Sequence, residues 1–395
     1  MTTEYDVAVV GLGALGSAAA YHAARKGARV VAFEQFELGH VRGASHDTSR
    51  IVRTSYEAPQ YVALAKAAYR DWAALEAAVG GGGLALVTVT GGLVFLPEGG
   101  PLSAASFAAS LDHNGIPYEL LDADAVRARW PQFRVADSVR AVYTPDSGIV
   151  HATKAVAAMQ HLARAHGALL RERTRVTAVT PPHGDGEEGG GSVLLTVETT
   201  AGGGGGGEYR ARKVILATDA WTNELIAPLG VHIPLQVSQE QVTYFKPADV
   251  SAFEADRFPV WIWHADPCFY GFPAYGEPTV KAAQDAAMNL TTPRERTFVH
   301  SPKLLDDLCA FLAGFLPDEG REPLRTVTCQ YAITPGRQLV LGALRRHPDV
   351  ILALGAAHAF KFAPAIGRNL AELALDGQST DDLSKFGIPS GTGND

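Results

Sequence analysis

Cysteine is scarce in this sequence: Cys268, Cys309 and Cys329 are the only three in 395 residues. Three cannot build a disulfide framework, so a reducing cytoplasm is the expected home. Charged residues are also few, at 19%, against 47% hydrophobic. That balance describes an ordinary globular chain with a large core. Basic residues are outnumbered, leaving a net charge of −8, which argues against nucleic acid or an anionic membrane as a partner. The N-terminal Met-Thr-Thr-Glu-Tyr-Asp is acidic where a signal peptide requires basic residues. The apolar run behind it is broken by three glycines, so neither secretion nor a membrane span is expected. The length allows two domains, or one large domain with another interleaved.

The most informative stretch lies at the start. A short apolar strand, Val7 to Val10, runs into Gly11-Leu12-Gly13-Ala14-Leu15-Gly16, and an Ala-rich helix is expected to follow to about Lys26. Gly27 then precedes a second apolar strand, Ala28 to Phe33, which ends on Glu34. Strand, glycine turn, helix, strand and acid in this order read as a dinucleotide-binding unit. Gly11 would allow the tight turn, Gly13 a close approach of backbone to a pyrophosphate, and Gly16 the packing of helix on strand. The helix N-terminus offers unpaired N–H groups and a positive dipole end. Glu34 would accept from the ribose hydroxyls. The motif alone does not separate FAD from NAD.

Further along, Ser45-His46-Asp47-Thr48-Ser49-Arg50-Ile-Val-Arg53 is polar and basic where a loop would return toward the dinucleotide. One helical turn would put Arg50 and Arg53 on one face, and a capped, solvated helix start is the plain alternative. Helices are expected over 57–78, 103–114, 122–130, 153–166, 306–315 and 364–376. The glycine runs Gly80 to Gly83 and Gly202 to Gly207, and the Gly- and acid-rich connection after Val179, read as turn tips or loops. Lys213-Val-Ile-Leu-Ala-Thr-Asp-Ala-Trp221 reads as a buried parallel strand returning to the dinucleotide domain. Residues 231–317 are β-rich and aromatic, which suits one wall of a ligand pocket as well as a self-packed sheet. The tail from Ser390 is expected to be loose.

Taken together, the N-terminal motif, His46 through Arg53, Tyr270-Gly-Phe-Pro273, Lys281, Thr328-Cys329-Gln-Tyr331 and Phe360-Lys361-Phe362 occur in an order that resembles the sarcosine oxidase and N-methyltryptophan oxidase family of FAD-dependent amine oxidases. That family is similar in turn to the fructosyl-amino-acid (Amadori) oxidases. The resemblance spans essentially the whole chain. It implies an α/β fold in which a Rossmann-like FAD domain (1–85, 145–225 and 320–386) is interleaved with a β-rich substrate domain (86–144 and 226–319), with a tail at 387–395.

The resemblance also implies roles. Cys329 would form a thioether to the flavin 8α-methyl, and Lys281 would promote reaction with O2, because a fixed ammonium stabilises a nascent anion in a dry site. Arg53 and Lys361 would clamp a substrate carboxylate. Lys361, flanked by apolar residues, should be buried and paired. Arg50 would lie against the flavin, and Tyr270 and Tyr331 would line the substrate pocket. Cofactor contacts are expected from residues 11 to 16, Glu34, Gln35, Ser45, His46, Ser49, Arg50, Val176, Cys329, Ala357 and Lys361. No metal is assigned.

Three departures from the family pattern stand out. Asp285 replaces a histidine four residues after Lys281; Ala356-Ala-His-Ala359 replaces a glycine-rich approach; and Thr218-Asp219-Ala-Trp221 replaces Ala-Gly-Ala-Trp. An added acceptor at Asp285 would suit a polyhydroxyl or cationic substituent better than a bare methyl. The expected activity is oxidation of N-methyl or N-fructosyl α-amino acids by hydride transfer to flavin, imine hydrolysis and O2 reduction to H2O2, in a monomer or small homo-oligomer. The alternatives are an FAD dehydrogenase with another acceptor, an NAD-dependent enzyme, and a non-catalytic flavoprotein subunit.

Overall fold

The computed structural model describes residues 4–80, 85–182, 191–200, 205–317 and 322–394. Gly81 to Gly83, Gly202 to Gly204 and most of the acidic connection after Val179 lie outside the described residues. Among the described residues no helix is long and apolar enough to cross a membrane.

The chain folds around an eight-stranded sheet and a second sheet of eight strands, joined by a three-stranded piece. In the first, β1 (Glu4–Val10) lies between β2 (Val30–Phe33) and the strand Gly206–Leu216, parallel to both. Leu169–Arg171 and Val350–Leu354 extend the parallel set on either side. Strands buried on both faces need continuous apolar sequence, and Val7 to Val10, Val30 to Phe33 and Val350 to Leu354 are all buried.

The helix α1 (Ala14–Arg25) covers one face and packs against the helix Ala363–Asp376. The approach is close because both surfaces are small: a Cβ on Gly367 would come within 2.3 Å of the Ala18 Cβ. The helix Ala152–Ala165 lies beside α1, and Gln160 Nε2 donates to the Leu12 carbonyl at 2.9 Å.

The second sheet runs Pro323–Ile333, Gln236–Phe245, Val280–Asp285, Cys268–Phe272, Val260–Trp263, Gly92–Leu96, Arg140–Thr144 and Glu119–Leu121. Period-2 alternation splits its aromatics between two faces. Phe245, Trp261 and Phe269 pack into a core with Phe311 and Phe315 of the helix Pro302–Phe315. Tyr270, Phe272 and Ile262 turn to the other face and line a cavity. Both readings of the aromatic section therefore hold.

Several expectations are corrected. Arg50 begins a short strand, Arg50–Val52, paired with Gly148–Val150, so no helical turn joins it to Arg53. Pro323–Ile333, grouped by sequence with the dinucleotide domain, is an edge of the second sheet, because its full length pairs with Gln236–Phe245. The tail is held: Thr392 and Asn394 are buried, the Thr392 carbonyl accepts from His232 N, and Asn394 Oδ1 accepts from Arg345 N.

Candidate functional site

A continuous cavity of about 540 Å³ runs from the carboxyl end of β1 to the inner face of the second sheet. Every candidate site residue named from sequence lines it except Gly16. Gly16 is spent on packing: a Cβ there would sit 1.8 Å from the Gly11 carbonyl oxygen. Gly11 has φ +90, and its own Cβ would meet the Ala217 carbonyl oxygen at 2.4 Å. At Gly13 a Cβ would reach Ser45 Oγ at 2.9 Å, and the same oxygen accepts from Ala14 N at 2.9 Å.

Glu34 is buried and turns back toward the glycine turn. Its Oε2 accepts from Leu12 N at 3.0 Å and its Oε1 from Phe36 N at 3.1 Å. Gln35, Val176 and Ala357 also border this end.

Two buried polar atoms here have no partner, His46 Nε2 and Asp219 Oδ2. Burial and the Arg50 guanidinium push the His46 imidazole down to about 4, so it is neutral. Burial pushes the Asp219 carboxyl up to about 7. Orphaned polar atoms around a glycine cradle at a helix N-terminus are what a bound dinucleotide would complete.

In the middle of the cavity, Arg50 donates to the carbonyls of Ser49 and Ala44 at 2.9 and 3.0 Å, with its guanidinium over the Phe360 ring. Cys329 is buried and free, and burial pushes its thiol up to about 11. Lys281 is buried and paired with Asp47 at 2.6 Å.

At the far end, Arg53 donates to the Ser55 carbonyl and lies 4.0 Å over the Tyr56 ring. Lys361 Nζ donates to the His358 carbonyl at 2.8 Å. Lys361 is half-buried, and among the described residues it has no carboxylate partner, contrary to the pairing expected from sequence. Burial, with Arg53 beside it, pushes its amine down to about 7. Tyr270 and Tyr331 border the same space, and burial holds both hydroxyls above their ordinary range.

Asp285 is not a free acceptor. Its two oxygens take Arg337 Nη1 and Nη2 at 2.7 and 3.2 Å. Burial alone would raise the carboxyl; the guanidinium outweighs it and holds it below the ordinary range. Arg337 was not legible as a site residue, being one arginine in a Thr334-Pro-Gly-Arg turn. Asp47 and Tyr244 were also missed, although Asp47 stands inside the polar stretch singled out from sequence. His264 and Cys268 complete this end.

The family described as FAD dependent oxidoreductase matches residues 6–373. The chain is 33% identical to the monomeric sarcosine oxidase of Streptomyces avermitilis, over 98% of this chain and 97% of that one. It is 31% identical to the monomeric sarcosine oxidase of Bacillus sp. (strain B-0618), over 98% and 96%. Among solved structures it is similar to NikD, an unusual amino acid oxidase essential for nikkomycin biosynthesis, in its open form, with TM-score 0.83 and 29% identity over 99% and 98% of the two chains.

Proposed function

The chain belongs to the FAD dependent oxidoreductase family, and on that premise we propose that it oxidises N-substituted, secondary-amine α-amino acids. The observation that carries the proposal is the pair Arg53 and Lys361. They come from distant parts of the chain, border one cavity, and among the described residues neither is held by a carboxylate. A guanidinium and an ammonium converging on open space suit an incoming carboxylate.

FAD, when bound, would take the hydride equivalent from the carbon beside the amine nitrogen and pass the electrons to O2. The glycine turn, Glu34 and the N-terminus of α1 would hold its nucleotide part, Arg50 would lie against it, and Cys329 would tether it by a thioether. Arg53 and Lys361 would fix the acid group, so that much of the rate gain is positional. Tyr270 and Tyr331 would exclude water around the substituent. Lys281 would serve O2 reduction as a fixed cation.

The satisfied Asp285–Arg337 pair removes the reason to expect a polyhydroxyl substituent. N-methyl is therefore the leading substituent and N-fructosyl the alternative. Peroxide release from sarcosine, N-methyltryptophan, pipecolate and fructosyl-valine tests this. Turnover of one or more N-methyl acids supports it; fructosyl-valine as the best substrate overturns the substituent, and no peroxide from any overturns the oxidase reading.

A second reading, a dehydrogenase with a non-O2 acceptor, has one observation in its favour: the charge of Lys281 is already paired with that of Asp47, at 2.6 Å. Anaerobic turnover with a dye, without turnover in O2, would select it.

A further inference from the structure

Lys281 spends all three of its donors close at hand. Nζ donates to Asp47 Oδ2 at 2.6 Å, to Ser49 Oγ at 3.0 Å and to the Ser49 carbonyl at 3.2 Å. The other Asp47 oxygen accepts from the Tyr244 hydroxyl at 2.6 Å, and Thr48 Oγ1 lies 3.0 Å from that hydroxyl. The Lys281 side chain is 3% exposed and that of Asp47 9%. Asp47 has φ 81, a left-handed conformation that Asp and Asn tolerate better than most residues. The loop therefore carries a backbone cost that brings this carboxylate inward. Lys281 and Asp47 both line the cavity that Cys329 and Arg50 also line.

We propose that Asp47 is a positioning residue for Lys281: braced by Tyr244, it keeps the buried amine protonated and fixes where Nζ stands. This rests on the reading of Lys281 as the cation that serves O2 reduction. A buried amine sheds its proton readily because the charged form loses its water. Burial pushes Lys281 down to about 8, Arg50 pushes the same way, and Asp47 is the main force opposing both.

The other groups facing the pair do not compete. Cys329 faces Lys281 and stays a thiol, pushed up to about 11. Asp47 is faced by Arg50, by Tyr244, whose hydroxyl is held above its ordinary range, and by His46, pushed down to about 4. His151 also faces Asp47 and lies below its ordinary range; so does Glu277, which pairs with Arg325. Around pH 8, Lys281 is the member of this cluster that changes charge.

Asp47→Asn keeps the shape, suits the backbone and removes the charge. Two quantities are read against pH: the melting temperature of the protein as purified, and the rate at which photoreduced enzyme reacts with O2. The folded-state value of Lys281 lies below its ordinary 10.5. The unfolded chain therefore holds more protons at Lys281 above about pH 8, and the Lys281-dependent part of the stability, read as the difference from Lys281→Met, rises with pH from there, above the earlier rise that Lys361 contributes from about 7.

In Asp47→Asn the onset of that rise should move down by at least about one pH unit, and the O2 rate should fall off that much earlier. An unchanged onset overturns the proposal. So does a rate loss by the same factor at every pH, which is what a merely structural role would give. Lys281→Met separates the two layers: if the O2 rate ignores it, the reading of Lys281 fails, while the unfolding curves still judge Asp47. Should Asp47→Asn not fold, Tyr244→Phe must give a smaller shift in the same direction, and no shift there overturns the proposal.

Discussion

Arg337 meets Asp285 end-on, two guanidinium nitrogens on two carboxylate oxygens, inside the cavity that Arg53 and Lys361 also line. His358 Nε2 lies 2.8 Å from the Arg337 carbonyl oxygen, which ties the arginine's turn to the segment that carries Lys361. The pair adds no net charge to the pocket, while Arg53 and Lys361, which among the described residues have no carboxylate partner, can take an acid group there.

Breaking that pair should cost more than removing it. Asp285→Ala strands a half-buried guanidinium and should lower stability by about 1–3 kcal/mol. Adding Arg337→Ala should return part of the loss, because the two sites are coupled. Urea unfolding of the two single variants and the double variant measures this; simple additivity would mean that the pair is not coupled.

Lys361 sets an alkaline limit. Its amine sits near 7, and only the protonated form attracts a carboxylate. kcat/KM corrected for substrate ionisation should therefore fall as pH rises through about 7 to 8 in the free enzyme. In Lys361→Arg the cation persists, and that limb should vanish. A limb unchanged in the variant would assign it to another group.

Gly16→Ala places a methyl 1.8 Å from the Gly11 carbonyl oxygen, a backbone atom that cannot swing aside. The turn and α1 would have to part. FAD content after purification should drop by more than about tenfold, or stability should fall by about 2 kcal/mol or more. Gly27→Ala, with open space but φ +88, should cost only the backbone strain, about 1–2 kcal/mol, and keep its flavin.

The sulfur tether is tested by acid. Precipitated protein should carry the yellow colour into the pellet, and Cys329→Ala should release it to the supernatant. Colour in the supernatant for the unaltered protein would mean that Cys329 is only a buried thiol.

Much of this was legible in the sequence because it obeys local rules. The apolar strands on either side of the Gly11–Gly16 turn needed only period and glycine spacing. The cavity residues Arg50, Arg53, Lys281, Cys329 and Lys361 were singled out by the family resemblance, through short motifs that occur in its order, and not by local rules. What was hidden depends on contacts between distant segments. Arg337 and Asp285 are 52 positions apart, and nothing in either local sequence announces the other. Arg50 looked helical because spacing alone does not register the Gly148–Val150 strand that pairs with it. The Ala356–Ala357 pair stands where the family pattern is glycine-rich, yet both residues adopt left-handed φ of 48 and 70. That conformation costs about 1–2 kcal/mol per alanine.

The most direct measurement is anaerobic bleaching of the flavin absorbance by an N-methyl amino acid and by the matching N-methylamine that lacks the carboxylate. If Arg53 and Lys361 grip the acid group, the amino acid should bleach the flavin at least about 100-fold faster per molar, and Arg53→Ala should erase most of that advantage. Equal bleaching by the two compounds, or an advantage untouched by Arg53→Ala, would contradict the carboxylate clamp on which the proposed activity depends.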